Sequence, residues 1–196
     1  MGAYTLGSAS NNVTIDNDGQ LTLVGNARCY DMAWLSAESL KVPGEKPADE
    51  VAHGFSIAYE FTDGTDDTIV GKIRVPLDAD FTVNPNFYVG WSAPVADPGD
   101  DSKQVVWQLE YSLHAAGEPM NSATPDTTTT TTVSASTTQH GLVMSPVAVS
   151  GGSAGDVCFE FRLKRLGADE DDDLGDDCHV HGVCIKYVRN SLGEAI

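Results

Sequence analysis

Period-two alternation runs through most of the chain. Phe55, Ile57, Tyr59 and Phe61 alternate with Ser56, Ala58 and Glu60, the pattern of a strand with one buried and one wet face. The same alternation recurs at residues 69–75 and 87–91. It is clearest at residues 105–113, where Val105, Trp107, Leu109, Tyr111 and Leu113 share one face opposite Val106, Gln108, Glu110 and Ser112. Turn chemistry stops the strands between these runs: Asp18-Gly19, Asp63-Gly64, Asn84-Pro85-Asn86, Asp97-Pro98-Gly99-Asp100 and Gly151-Gly152. Helical periodicity is nearly absent, and the best helical stretch, residues 32–40, is short and runs into Val42-Pro43-Gly44. The pattern predicts an all-β fold, an antiparallel β-sandwich of jelly-roll type. Residues 1–27 are expected to supply an extended N-terminal arm or the first strands, and residues 28–196 a single sandwich domain.

Two segments depart from this simple pattern. Six consecutive threonines at 127–132 suit a linker, yet threonine is β-branched, so a strand with one wet face is the favoured reading. Near the C-terminus, Val157, Phe159, Phe161 and Leu163 alternate with Cys158, Glu160, Arg162 and Lys164, an Asp-rich loop follows, and a last strand runs from Cys178 to about Val188. Paired as a hairpin centred near Asp171, these strands would set Phe159 opposite Val183 and Cys158 opposite Cys184.

Composition narrows the function. With 196 residues, one domain with a real core is expected. Eleven Lys and Arg against 29 Asp and Glu give a net charge of -18, which repels nucleic acid and anionic lipid. No run approaches the roughly 18 apolar residues of a membrane-spanning helix, and the start Met1-Gly2-Ala3-Tyr4 lacks the regions of a signal peptide. A soluble protein with no nucleic-acid or membrane partner is expected, and the acidic surface suits a marine or halophilic source.

Candidate chemistry is sparse. Cys158 and Cys184, opposed in the hairpin register, are within reach of a disulfide in an oxidising compartment, with free thiols as the simpler reading. His179 and His181 share a strand face about 7 Å apart and could give a metal two ligands, but the hairpin register turns them towards the core. Cys178 lies about 20 Å along the strand from Cys184, so the two cannot share one ion. Asp171, Asp173, Asp176 and Asp177 offer oxygen donors for calcium, without the glycine and final glutamate of an EF-hand loop, and a solvated loop is the simpler reading. No nucleophile elbow, phosphate-binding loop or His-Glu-x-x-His motif occurs. The expectation is therefore no enzyme activity and no cofactor.

The order of motifs resembles a family of short virion structural proteins of tailed phages and archaeal tailed viruses, a likeness spanning roughly residues 20–195. It is carried by Val106-Trp107-Gln108-Leu109-Glu110-Tyr111 with Gly117 after it, by Asn84-Pro85-Asn86-Phe87-Tyr88-Val89-Gly90-Trp91 upstream, and downstream by the strand from Cys158 to Leu163, the Asp-rich loop, and the stretch from Tyr187 to Glu194. Where the family often has histidines beside the proline turn, this chain has Asn84, Asn86 and Tyr88, so no metal is expected there. The resemblance implies a virion location, with the capsid surface expected before the tail. The first function that follows is a capsid decoration protein acting as a homotrimer on the major capsid protein or other virion proteins. The alternative is a tail- or fibre-associated receptor-binding module that takes up a glycan through loops such as 93–103 or 115–126. A glycan site needs exposed aromatics, and Trp91 and Trp107 read as core from their strand phase. Trp34 alone is free of a clear pattern.

Overall fold

In the computed structural model, strand phase decides the architecture. The structure describes all residues except 1–2, 18, 20, 25–28, 77–78, 82, 97–102, 121–124, 154, 190 and 193–196. Inward-facing residues from two antiparallel sheets form one core. The smaller sheet runs β11 (Thr127–Ser134), β10 (Gln104–Ala115), β13 (Asp156–Arg165) and β7 (Thr68–Arg74). The larger runs β12 (Val143–Ala148), β9 (Asn86–Ser92), β14 (Cys178–Arg189), β6 (Ser56–Phe61) and β5 (Asp49–His53). Two more strands, β4 (Cys29–Ser36) and β8 (Ala79–Asp80), also pair with β14.

The aromatic residues meet across the core as the alternation requires. Phe87 of the larger sheet lies 5.0 Å from Phe161 of the smaller, and Trp107 packs edge-on against Trp91 and Phe61, at 5.9 and 5.3 Å between ring centres. All five are buried. Such edge-to-face contacts add to the burial of large apolar rings. The threonine run is a strand: β11 pairs with β10 in the register Thr131 opposite Trp107, and its exposure alternates residue by residue.

The N-terminal residues form strands: β1 (Tyr4–Gly7), β2 (Asn12–Ile15) and β3 (Leu21–Val24) make a meander that β15 (Ser191–Leu192) joins at its edge. Residues 32–40 hold no α-helix: β4 continues to Ser36 and a single 3-10 turn, Ala37–Ser39, follows. Phe55, expected on the buried face of its strand, is instead fully exposed in the turn between β5 and β6.

The C-terminal hairpin is the main correction. β13 pairs with β10 and β7, whereas β14 pairs with β9, β4, β6 and β8, so the two strands belong to opposite sheets. Matching apolar faces satisfy strands that face each other across a core as well as strands that lie side by side. Residues 166–177 carry the chain from one sheet to the other. Cys158 therefore lies opposite His114 and Arg74, and Cys184 opposite Trp34 and Tyr88. Their neighbours Phe159, Val183 and Ile185 enter the core, which turns the two thiols outward on opposite faces, and both are free thiols.

The crossing is held by Arg165, the last residue of β13 and fully buried. Its Nε and Nη2 donate to the two carboxylate oxygens of Asp172, at 3.0 and 2.8 Å, and Nη2 also donates to Asp63. Nη1 donates to the carbonyls of Phe61 and Asp176, at 3.0 and 2.9 Å. Both side chains of the Arg165–Asp172 pair are 0% exposed, so removing one partner leaves an uncompensated buried charge. Arg165→Met is expected to lower unfolding free energy by about 3–5 kcal/mol in urea denaturation. Asp172→Asn, which keeps an acceptor, should cost less. A loss for Arg165→Met no larger than that of an exposed-site control would remove this role.

Candidate functional site

The outer face of the larger sheet collects the side chains that the core does not use. A β-bulge shapes it. On β14, Val180 lies opposite Trp91 and Gly182 opposite Gly90, so His181 is the extra residue between them. Cys178, Val180, Val183, Ile185 and Tyr187 all face the core, and the inward positions change parity at His181. One inserted residue flips every side chain beyond it. His179 and His181, expected to turn towards the core, therefore lie on the outer face. An unbroken alternation counted back from Tyr187 would have buried both.

At the other end of β14 the face is aromatic. Tyr30, Met32 and Trp34 alternate with the core-packed Ala33 and Leu35, so all three point outward from β4, with Trp34 51% exposed. Trp34 stands in a cross-strand row with Cys184 and Tyr88. Its indole reaches across β14 over two glycines. A Cβ on Gly182 would fall 2.5 Å from Trp34 Cζ2, and one on Gly90 would fall 3.1 Å from Trp34 Cη2. The glycines thus make a floor under the benzo ring, and about half of Trp34 stays exposed to solvent. Neighbouring contacts fix the row: Lys186 Nζ sits 4.7 Å from the Tyr30 ring centre, and Arg189 pairs with Asp31 at 3.3 Å.

Around the bulge, four of the five histidines converge. His53 ends β5 before the Gly54 turn, where Gly54 adopts φ +64°. Its ring centre lies 4.6 Å from that of His181, 5.3 Å from His179 and 6.2 Å from His140. One ligand nitrogen from each of His53, His140 and His179 lies within 4.8 Å of the others. His179 Nε2 bonds Glu60 Oε2 at 3.1 Å, and His181 Nε2 bonds Ser92 Oγ at 2.8 Å. Burial, and then the neighbouring His179 and His140, hold His53 below the ordinary imidazole range. Burial, and then His53 and His179, push His181 down to about 4.

The remaining candidates are held in other roles. The Asp173 carboxylate accepts the Gln104 N–H at 2.6 Å, Asp176 accepts that of Asp177 at 2.9 Å, and Asp177 accepts that of Asp63 at 2.8 Å. The Asp171 N–H donates to Asp169. The Asp-rich loop thus points carboxylates at backbone N–H groups, its own and those of Gln104 on β10 and Asp63 beyond β6. Burial pushes the Cys178 thiol up to about 12, so it offers no thiolate. Parts of both proposed glycan loops, residues 97–102 and 121–124, lie outside the described residues. A groove of about 510 Å³ crosses the outer face of the smaller sheet, lined in part by Lys72, Glu110, Glu160 and Arg162. Its charges are paired across strands, Lys72 with Glu160 and Arg162 with Glu110, both at 3.0 Å. Tyr111 in its lining is 2% exposed, so the groove presents no stacking ring comparable to Trp34.

No family model and no curated protein matches the sequence. Solved structures do match the fold. An exo-β-1,3-galactanase from Phanerochaete chrysosporium, solved with galactose, superposes at TM-score 0.50 and 8% identity over 89% of this chain, which spans 32% of that enzyme. The CBM36-1 domain of a multidomain xylanase from the hindgut metagenome of Trinervitermes trinervoides matches at TM-score 0.47 and 12% identity, over 85% of this chain and 100% of that one. A carbohydrate-binding module of Cellvibrio mixtus lichenase 5A, in complex with cellotriose, matches at 0.38 and 11%, over 78% and 95%. At these identities the likeness is one of fold, an antiparallel all-β jelly roll.

The glycine floor yields a direct test. Gly182→Ala is expected to cost about 1–3 kcal/mol by overpacking in a denaturant titration. Part of the loss should return when Trp34→Ala is added, and the remainder reflects the Leu35 carbonyl, 2.8 Å from the same Cβ position. Equal costs in both backgrounds would mean that the indole does not rest there.

Proposed function

We propose that the chain is a glycan-binding module that presents the outer face of its larger sheet to a carbohydrate. The observation that carries this reading is the Trp34 indole, laid against Gly90 and Gly182 and half exposed to solvent. A sugar ring buries an apolar face against an aromatic plane and turns its hydroxyls to polar neighbours. Here Lys186 lies opposite Met32 and Asn86 opposite Lys186, in the row next to that of Trp34, and both can meet those hydroxyls. The plane stands on strands and is fixed before any ligand arrives, which lowers the ordering cost of binding. A net charge of -18 disfavours polyanionic sugars, so a neutral glycan is the ligand class.

The fold is shared with modules named for carbohydrate binding, but the argument for this chain rests on its own surface. The exposed aromatic row favours this reading over capsid decoration. In the virion setting that the sequence resemblance implies, such a module belongs on a tail or fibre, where it would meet host-surface glycans.

The test is a screen of the purified chain against neutral oligosaccharides, followed by titration calorimetry on the best ligand. Trp34→Ala should weaken binding about thirtyfold or more, as expected for an aromatic anchor worth roughly 2 kcal/mol or more. A double substitution in the other groove, Lys72→Ala with Arg162→Ala, should leave affinity unchanged. Loss of binding in the groove variant with none in Trp34→Ala would move the site to the smaller sheet. Failure to bind any neutral glycan would sink the reading.

A further inference from the structure

We infer that His53, His140 and His179 form a binding site for a divalent transition metal of the zinc class, on the same face as Trp34 and independent of any glycan. The three residues come from the β5–β6 hairpin, the segment between β11 and β12, and β14, so no sequence spacing announces them. Their ligand nitrogens lie within 4.8 Å of one another. Tetrahedral zinc with bonds of about 2.0–2.1 Å sets its ligands roughly 3.4 Å apart, so closure needs a shift of about an ångström or a little more.

Two further observations point to a ligand there. His179 Nδ1 is buried and has no hydrogen-bond partner, while Nε2 faces Glu60. A carboxylate only accepts, so Nε2 carries the hydrogen and Nδ1 of the neutral ring keeps its lone pair. A carboxylate behind one nitrogen with the other left bare is the usual outer support of a metal-bound imidazole. A buried imidazole nitrogen without a partner is otherwise a cost. The second observation is His140, which holds a left-handed backbone, φ +55°, that non-glycine residues seldom adopt. Its N–H donates to the Ala93 carbonyl at 2.7 Å, which anchors the segment with the ring beside His53.

Three imidazoles leave a fourth position for water or an incoming donor. Nitrogen ligands select zinc, copper or nickel over calcium and magnesium. Binding would tie three segments distant in sequence and so stabilise only the folded chain.

The experiment uses the full chain, stripped with chelator and titrated with Zn²⁺ by calorimetry, with Co²⁺ absorption as a reporter of tetrahedral nitrogen coordination. One ion per chain is expected. His53→Ala and His140→Ala should each weaken it at least about tenfold, and Glu60→Gln by about tenfold to a hundredfold with the stoichiometry kept. Cys29→Ser, which removes the exposed thiol, should bind as the wild type does. Zinc at a hundredfold its Kd should raise the melting midpoint by about 5 °C or more in wild type and much less in His140→Ala. His140 is exposed, so its variant decides the matter even if His53→Ala folds poorly. No saturable binding, or equal affinity in wild type and His140→Ala, would overturn the site, and neither result touches the glycan reading.

Discussion

Arg165 sits fully buried at one end of the core, and all of its N–H donors reach protein acceptors through five hydrogen bonds. The jelly-roll crossing depends on this one guanidinium. β13 ends in the smaller sheet and β14 begins in the larger, and the intervening residues carry a dense run of carboxylates. Left to itself such a run repels and stays solvated. Asp172, drawn inside by the planar fork of Arg165, also accepts the Val106 N–H at 3.1 Å, which staples the loop to β10. The Phe61 and Asp176 carbonyls, bound by Nη1, join the end of β6 to the residues just before β14. The guanidinium thereby fixes where β14 enters the sheet, and β14 carries both the aromatic row and the histidines.

That dependence explains which parts of the structure the sequence could show. The strands centred on Ile57, Ile73, Val89 and Leu109 were legible because a half-buried strand writes its phase directly into residue order. So was the threonine strand, where β-branching outweighed low complexity. The pairing of β13 with β14 was not legible, because a period-two pattern gives the side a residue faces and not the sheet it belongs to. Arg165 was the available clue, a charge in phase with Phe159, Phe161 and Leu163, but its meaning needs Asp63 and Asp172, which lie far from each other in the chain.

The candidate site was less legible still, for two separate physical reasons. The His181 bulge changes the parity of β14, and its one mark in the sequence is Gly182, a glycine inside a strand pattern, which does not locate the extra residue without the partners on β9. The histidine cluster is assembled from three segments, so a reading limited to His179 and His181 on one strand found one true member and its neighbour. Trp34 did leave a trace. It fitted neither core phase nor a helix, and residues that fit no structural pattern are where function is expected to disturb it.

The two features of the outer face share a constraint that bears on how the face works. Gly182 must lack a side chain to admit Trp34, and His181, directly before it, is the bulged residue that turns the imidazoles outward. Both departures from regular strand chemistry thus fall on two adjacent residues of β14. A glycine inside a strand and a bulge each weaken the ladder, and natural sheets keep such defects where a surface has to be shaped. Held by β9 on one side and by β4 and β6 on the other, β14 tolerates them without losing its place. The rigidity comes from the core and from Arg165, and the outer face is therefore free to carry side chains that the core does not require.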